Sequence, residues 1–214
     1  MDYTTQKTFI AVAGNIGVGK STLTRLLSRA FGWEPFYEAA AENPYLADFY
    51  ADMRTWSFHS QVFYLGKRLE HHRLLIDHRA SVVQDRTVYE DAEIFARNLY
   101  EQGRMTDRDY DAYRRLYRAV SSFLPPPDLI VYLRASTPTL QAHIAKRGNE
   151  YELNIAPEYL DQLNRLYDAW IEDWTACPVL TIDMDNLDFI RRDDDLVSIF
   201  AQVKDTLITI PYSD

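Results

Sequence analysis

Short runs of apolar residues alternate along this chain with longer stretches in which apolar positions recur every three or four residues. The short runs predict buried β-strands and the longer stretches predict helices. Their alternation predicts an α/β fold with a mainly parallel sheet. The five predicted strands are Thr8–Ala13, Glu34–Glu38, Ser81–Gln84, Leu129–Leu133 and Val179–Ile182.

Turn signals set the limits of the predicted helices. Gly103 separates two of them, and the three prolines at 125–127 exclude both helix and sheet pairing. Thr137 followed by Pro138 predicts a helix start with threonine as the cap. The predicted helices are Ser21–Ala30, Asn43–Ala51, Arg54–Asp77, Glu90–Gln102, Asp107–Ser122, Thr137–Arg147, Pro157–Trp174 and Leu196–Leu207. With no repeat or linker in view, residues 1–214 are predicted to form a single domain.

Composition narrows the function classes. The 214 residues are 47% hydrophobic and 26% charged, as in an ordinary globular protein. The single cysteine, Cys177, excludes a disulfide framework. A net charge of -9 argues against a nucleic-acid polymer as partner, but leaves small anionic ligands open. No signal peptide or apolar stretch long enough for a membrane span is visible, so we expect a cytoplasmic protein with no membrane partner.

The sequence from Gly14 to Ser21, GNIGVGKS, matches the Walker A pattern in full. It lies directly after a predicted strand and opens a predicted helix. In this setting successive backbone N–H groups face a phosphate, and the helix N-terminus adds partial positive charge. Lys20 then reaches the outer phosphates and Ser21 is placed to hold Mg²⁺. The motif therefore predicts nucleotide binding. The alternative, a glycine-rich turn that binds nothing, is disfavoured.

The remaining motifs favour a small kinase among the phosphate-loop proteins. The chain has no Asn-Lys-x-Asp tetrapeptide, which argues against a GTPase. The strand before Asp85 is only a short version of the hydrophobic strand that precedes a Walker B acid in larger ATPases.

Six fragments, in their order and spacing, resemble the deoxynucleoside kinase family, and most closely its bacterial deoxyadenosine kinase branch. They are Gly14–Thr22, Glu42–Leu46, Trp56–Phe58 with Gln61, Asp85–Thr87, Arg147-Gly148 with Glu152, and Asp188-Phe189. The resemblance implies a P-loop kinase fold, with a five-stranded parallel sheet flanked by helices and a short lid at about 143–155. It also implies ATP-dependent phosphorylation of a deoxynucleoside 5′-hydroxyl in nucleotide salvage, and a homodimer formed through helices.

The resemblance assigns the catalytic groups. Glu38 is implied as the base that accepts the hydroxyl proton, although it is followed by Ala39 where the family has proline. Arg86 holds Glu38 and neutralises charge near the transferred group, together with Lys20. Ser21 and Asp85 are the implied Mg²⁺ ligands. From the residues alone, a surface acid is the favoured interpretation of Glu38. The alternative for Asp85 and Arg86 is a buried structural pair, but their position after a strand and before a helix favours function.

The long helix predicted from Arg54 carries two stripes. Phe58, Val62, Leu65 and Leu69 have the spacing of a core-facing stripe, and Ser57, Gln61, Tyr64 and Arg68 follow one residue behind. By itself a polar stripe of this kind indicates a solvated face. The resemblance instead assigns acceptor binding to Glu38, Tyr50, Gln61, Arg68, Arg86, Asp91, Phe95 and Glu152. In this assignment Asp91 partners Arg68, Phe95 stacks on the base, and Tyr50 with Glu152 binds the sugar 3′-hydroxyl.

The resemblance also assigns the donor side. Arg147 closes over the donor phosphates, while Asn149 stands where many relatives have a second arginine. His143 takes the place of an arginine that stacks on the donor adenine. The implied ATP-binding residues are Gly14, Asn15, Ile16, Gly17, Val18, Gly19, Lys20, Ser21, Thr22, His143, Arg147, Asp188 and Phe189.

The nature of the acceptor base stays open at this point. Arg68 donates to base acceptors, Asp91 accepts from an amino group and Gln61 does both, which suits adenine, cytosine and, with rearrangement, guanine. The family branch favours deoxyadenosine and argues against thymidine. The alternatives are deoxyguanosine or deoxycytidine as main substrate, a nucleoside monophosphate kinase on the same fold, and a nucleotide-binding regulatory module without catalysis.

Overall fold

A computed structural model of the chain describes residues 7–37, 43–149 and 152–209. Five strands form one sheet in the order β2-β3-β1-β4-β5, and every neighbouring pair is parallel. The strands are β1 Phe9–Gly14, β2 Glu34–Phe36, β3 Val82–Asp85, β4 Leu129–Arg134 and β5 Val179–Asp183. The predicted five-stranded parallel sheet is therefore confirmed, with strand bounds that shift by one or two residues.

Both faces of the sheet are covered, which explains the continuous apolar runs of its strands. All six residues of β1 are buried. Ile10 and Val12 pack on one face. Their cluster contains residues of the first helix, of the helix that follows β4 and of the helix that follows β5. Ala11 and Ala13 point to the other face, into a cluster that contains Tyr167. The central strand is thus fixed from both sides.

Helices fill the crossovers between the strands. They are α1 Lys20–Phe31, α2 Leu46–Ala51, α3 Met53–Asp77, α4 Val88–Glu90, α5 Arg97–Glu101, α6 Asp107–Ser121, α7 Thr137–Arg147, α8 Pro157–Asp173 and α9 Asp193–Thr209. The predicted cap of α7 is corrected: Ser136 is the N-cap, Thr137 lies within the helix, and Pro138 falls in its first turn. Proline is tolerated there because first-turn N–H groups have no partner within the helix.

The helix predicted over Glu90–Gln102 is not one α-helix. Asp91–Ala96 forms a π-helical segment between α4 and α5. Apolar spacing does not reveal such a segment, since the change lies in backbone hydrogen bonding, from i→i+4 to i→i+5. This wider turn carries Asp91 and Phe95, two of the residues predicted to bind the base.

The two stripes predicted on α3 exchange their roles in part. Ser57, Gln61 and Arg68, which the spacing alone places on a solvated face, are buried. In the predicted core stripe only Leu65 is fully buried, and Phe58, Val62 and Leu69 are partly buried. The polar edge of α3 is covered because it faces the π segment across a cavity.

The carboxyl ends of all five strands lie at one edge of the sheet, because the strands are parallel. In open α/β sheets ligands bind outside this edge. The phosphate loop follows β1 and Arg86 follows β3 at this edge. Within the described ranges, no helix has the combination of length and apolar character that a membrane crossing requires.

His72 on α3 gives the fold a predictable dependence on pH. Its ring packs edge-on against Phe9 with centroids 5.7 Å apart, and burial lowers the pKa of its imidazole below the ordinary value of 6.5. The unfolded chain therefore takes up this proton at a higher pH than the native protein. We expect the unfolding free energy to fall as the pH drops below about 6.5, a loss that urea titrations over roughly pH 5 to 8 would measure.

The matched variants are His72→Gln and His59→Gln. The first removes the buried imidazole and should flatten the pH dependence below neutrality, and the second, which removes an exposed histidine of the same helix, is the comparison. Identical pH slopes for His72→Gln and the unmodified protein would contradict the assignment.

Candidate active site

The phosphate loop joins β1 to α1, and its first residue is held against the neighbouring strand. Gly14 has φ 143°, and a Cβ there would lie 2.5 Å from the Leu133 carbonyl oxygen of β4. Gly19 has φ 107°, and a Cβ there would meet the Phe189 ring at 3.2 Å. Both positions therefore require glycine for conformation and for space. The resulting turn leads directly into the N-terminus of α1, the setting in which a phosphate loop binds an anion.

Two side chains of the loop face in different directions. Lys20 is buried, and its ammonium donates to the Asn15 carbonyl oxygen at 3.0 Å, which holds it across the loop. The Asn15 amide donates to the Leu160 carbonyl at 2.9 Å and to Asn164 Oδ1 at 2.8 Å, both on α8. The Asn15 side chain thus anchors the loop to α8.

Ser21 and Asp85 form the oxygen pair beside the loop. Ser21 Oγ donates to Asp85 Oδ2 at 2.5 Å, and Asp85 is 2% exposed. Asp85 Oδ1 is buried and has no hydrogen-bond partner among the residues that the structure describes. A buried carboxylate oxygen left unpaired next to a hydroxyl is a hard donor set that suits Mg²⁺. The two predicted metal ligands are therefore brought together.

Arg86 occupies an unusual backbone position directly after β3. Its φ of 64° makes it the only non-glycine residue with positive φ in the described part of the chain. The Arg86 N–H donates to the Val12 carbonyl at 3.1 Å, and the guanidinium carbon lies 4.2 Å from the centre of the Phe95 ring. A left-handed arginine costs about 1–2 kcal/mol of backbone energy, so neighbouring contacts must hold it in place.

Arg68 and Asp91 form a buried ion pair between α3 and the π segment. Arg68 Nε donates to Asp91 Oδ2 at 3.0 Å, and both side chains are at most 5% exposed. Arg68 also donates to the Asp85 carbonyl at 3.4 Å, which links the pair to the end of β3. Gln61, about two helical turns before Arg68 on α3, lines the adjacent cavity. This cavity wall offers both donors and acceptors to a ligand.

Two cavities meet at the phosphate loop. The first, of about 630 Å³, is lined by six of the predicted acceptor residues: Tyr50, Gln61, Arg86, Asp91, Phe95 and Glu152. The second, of about 490 Å³, is lined on its far side by His143, Asp188 and Phe189. Four residues line both cavities: Gly17, Lys20, Ser21 and Arg147. Two ligands that fill these cavities would therefore approach each other at the loop.

Arg147, Glu152, His143 and Asp188, all predicted to bind ligands, make contacts within the protein. Arg147 forms an ion pair with Glu152, although the two were predicted to bind different ligands. His143 Nδ1 lies 3.0 Å from the Gly17 carbonyl oxygen, at the edge of the second cavity. The Asp188 carboxylate accepts from the backbone N–H groups of Ile190 and Arg191. Asp188 therefore stabilises its own turn at the wall of the second cavity.

Some of the predicted and observed site residues do not correspond. Glu38 lies outside the described residues, so its position stays a prediction. The structure adds Glu90, whose buried carboxylate bonds to the phosphate loop, and the Asn43–Ser60 hydrogen bond of 2.9 Å in the wall of the first cavity. Glu90 has a sequence signal, because Thr87-x-x-Glu90 is the spacing of a capping box. The contact between Asn43 and Ser60 has none, since it joins different elements.

The chain is similar to proteins of known activity over nearly its whole length. The family model described as deoxynucleoside kinase matches residues 10–209. A deoxyadenosine/deoxycytidine kinase of Bacillus subtilis (strain 168) is 34% identical over 200 residues, which cover 92% of this chain and 92% of that protein. A deoxyguanosine kinase of the same organism is 33% identical over 204 residues, covering 94% of this chain and 98% of its own. The solved structure of deoxyadenosine kinase from M. mycoides with the products dCMP and dCDP bound is similar with a TM-score of 0.82 and 31% identity, covering 92% of this chain and 100% of its own.

The close approach of Gly14 to β4 predicts the effect of a single methyl group. Gly14→Ala should lower the unfolding free energy by about 3 kcal/mol or more, since it adds both strain at positive φ and a clash with a backbone oxygen. Denaturant unfolding monitored by circular dichroism would measure the loss.

Gly32→Ala is the matched control. Gly32 also has positive φ, 69°, but a Cβ there meets nothing within 4 Å, so this variant should lose only about 1 kcal/mol. If the two variants lose equal stability, the clash with Leu133 does not limit position 14.

Proposed function

Since this chain belongs to the deoxynucleoside kinase family, we propose that it transfers the γ-phosphoryl group of ATP to the 5′-hydroxyl of deoxyadenosine, with deoxycytidine as a second acceptor. Membership makes the chain a phosphotransferase that acts on a nucleoside hydroxyl, which decides against the monophosphate kinase and the regulatory module. The observation that carries the proposal is the meeting of two cavities at the phosphate loop. A phosphoryl donor and a hydroxyl acceptor must be bound next to each other in this way.

Charge at the junction of the cavities supports phosphoryl transfer. Lys20 and Arg147 line both cavities, and Arg86 lines the first. In a loose transition state negative charge spreads over the equatorial oxygens of the transferred group, and fixed cations stabilise it. Lys20 would contact the outer phosphates, Arg86 the transferred group, and Arg147 would close over the donor from the lid. On donor binding Arg147 exchanges its partner Glu152 for phosphate.

We infer that Glu38 accepts the proton of the attacking hydroxyl. In the sequence, Glu38 comes two residues after β2. That strand ends at the carboxyl edge of the sheet, where Tyr37 follows it. Because β2 pairs with β3 in parallel, Phe36 at the end of β2 lies opposite Gln84, two residues before Arg86. A carboxylate beside this arginine would be kept ionised, as a base requires.

Magnesium fits the pair formed by Ser21 and Asp85. These residues would hold the ion, with phosphate and water oxygens as its other ligands, which is the usual manner of Mg²⁺ binding with nucleotides. Bound there, the ion would supply charge neutralisation at the donor phosphates. Ser21 is positioned for this by the start of α1, and Asp85 by the end of β3.

The Arg68–Asp91 pair supports a base with an acceptor nitrogen next to an amino group. Asp91 accepts from the amino group and Arg68 donates to the ring nitrogen, an arrangement that adenine and cytosine both match. Thymine would leave the carboxylate facing an acceptor oxygen, which costs binding energy. The names of the B. subtilis and M. mycoides relatives, with the cytosine nucleotides bound to the latter, support the same two bases. Deoxyguanosine stays the alternative, given the second B. subtilis relative.

We also propose that two copies of the chain associate through helices, as the resemblance implies. An open groove of about 590 Å³ on α3 is lined by Gly66, Leu69, Glu70, Arg73 and Leu74, and Leu74 is 55% exposed. Light scattering should give twice the chain mass of 25.0 kDa. Leu74→Glu should shift this mass toward the monomer, and Val197→Glu, at an equally exposed site on α9, should not. A monomeric unmodified protein would contradict the proposal.

The acceptor assignment is tested by incubating the protein with Mg-ATP and each of four deoxynucleosides and their monophosphates. We expect phosphorylation of deoxyadenosine and deoxycytidine, weak or absent use of thymidine, and none of the monophosphates. Exclusive phosphorylation of monophosphates would overturn the acceptor, and a clear preference for deoxyguanosine would replace the base.

The same assay tests Glu38. Glu38→Gln should lower kcat by about 10²–10⁴-fold, since the proton loses its acceptor, while ATP binding measured by calorimetry stays intact. Glu34→Gln, an exposed acid at the start of the same strand, is the control and should keep full activity. Near-normal turnover by Glu38→Gln would remove its assignment as the base.

A further inference from the structure

Two backbone turns carry the groups around which phosphoryl transfer takes place, and both have positive φ. Gly14, with φ 143°, ends β1 and begins the phosphate loop. Arg86, with φ 64°, directly follows β3. The strands are paired in register, with Val12 opposite Asp85, so the two turns lie side by side. The separation of these turns sets the distance between the bound phosphates and the Arg86 guanidinium.

One side chain bonds to both turns. Glu90 Oε1 accepts from the Gly14 N–H at 3.3 Å and from the Tyr167 hydroxyl at 2.9 Å. Glu90 Oε2 accepts from the Thr87 N–H at 2.8 Å, directly after Arg86. The side chain is 0% exposed. A capping-box glutamate needs only the contact to Thr87, so the contacts to Gly14 and Tyr167 go beyond helix capping.

The surroundings of Glu90 are those of a carboxylate anion. Its two oxygens receive only donors: two backbone N–H groups and the hydroxyls of Tyr167 and Thr87. An ionised carboxylate accepts at all of these positions, whereas the nitrogen of an amide at either oxygen position would face a backbone N–H donor, that of Gly14 or that of Thr87. Burial raises the pKa of Glu90, and the positive charges of Arg86 and Lys20 oppose this rise.

We propose that Glu90 is a positioning residue for phosphoryl transfer, which fixes the separation of the phosphate loop and Arg86 by bonding one turn with each carboxylate oxygen. It does not line either cavity, so it acts through Gly14 and Arg86 and touches neither substrate. The inference rests on the proposed function, since it concerns the geometry of that reaction. The bond to Tyr167 ties the same junction to α8, the helix that follows the lid.

The first variant is Glu90→Gln, which keeps the shape of the side chain. Its amide nitrogen must face a donor at one of the two turns, so that turn is released. We expect kcat to fall by about 10–100-fold, because small misplacements of catalytic groups carry costs of this size. KM for ATP and for deoxyadenosine should change by less than about threefold, since the groups that line the cavities are retained.

A double-mutant cycle with Arg86→Lys separates positioning from general loss of structure. If Glu90 acts through Arg86, Glu90→Gln should lower kcat by less than about threefold once Arg86 is already lysine. A structural defect would instead lower kcat by the same factor in both backgrounds. Calorimetric titration with a non-hydrolysable ATP analogue measures the number of binding-competent sites in each variant, and kcat is calculated per such site.

Two tyrosine variants keep the test valid if Glu90→Gln does not fold. Tyr167→Phe removes one donor to Glu90 and keeps the ring, and we expect kcat to fall about three- to tenfold with KM unchanged. Tyr132→Phe is the matched control. Tyr132 is buried, stacks on Tyr167 and donates to Asp168 away from both cavities, so its variant should keep full kcat.

The outcomes are distinct. An unmodified protein that phosphorylates no deoxynucleoside overturns the proposed function itself. If the unmodified protein is active and the kcat values of Glu90→Gln and Tyr167→Phe both lie within about twofold of its own, the inference about Glu90 is overturned and the proposed function is not. Equal losses from Glu90→Gln in the two Arg86 backgrounds also overturn it. A loss that disappears in the Arg86→Lys background supports it.

Discussion

The absence of a side chain at Gly14 is the constraint on which the rest of the site depends. The backbone of β1 turns away beside the Leu133 carbonyl with no space for a Cβ, at a φ that other residues rarely adopt. This early turn sets where the loop N–H groups point, where α1 begins, and where Lys20 and Ser21 emerge. Since β3 is in register with β1, it also sets where Arg86 lies relative to them. The remaining groups of the site are arranged around this one backbone position.

Charge is balanced locally in the site, and the net charge of the chain hides it. The protein carries a net charge of -9, yet Lys20, Arg68 and Arg86 are all buried at one edge of the sheet. Their burial is tolerable because Asp85, Glu90 and Asp91 are buried among them. Such a cluster gives strong fields over a short distance without a basic surface. An acidic protein can therefore bind a small polyanion while repelling an extended one.

The sequence predicts those features of the fold and site that depend on short-range pattern. The full Walker A match, the five strands and the helical crossovers are local, and the resemblance to deoxynucleoside kinases, carried by short fragments in order, is confirmed. The burial of the polar edge of α3 is not local: Arg68 pairs with Asp91, 23 residues along the chain on another element, which the resemblance implies and helical spacing alone does not. Glu90 likewise depends on β1 and α8 at once. The π segment escapes prediction because apolar spacing does not record which carbonyl a given N–H selects.

The π segment, which lines the first cavity, also changes the direction in which the side chains of its helix point. Along an α-helix, each residue rotates the side-chain direction by about 100°. A π segment adds one residue to a turn, so it rotates the side chains that follow it by about 100° relative to those before it. Before the π segment, Glu90 bonds to the phosphate loop, and after it, Leu99 packs into the apolar cluster that contains Tyr113. Asp91 and Phe95 lie between these two anchors. The directions of the Asp91 and Phe95 side chains are thereby separated from the two anchors of the same helix, and can differ without moving either one.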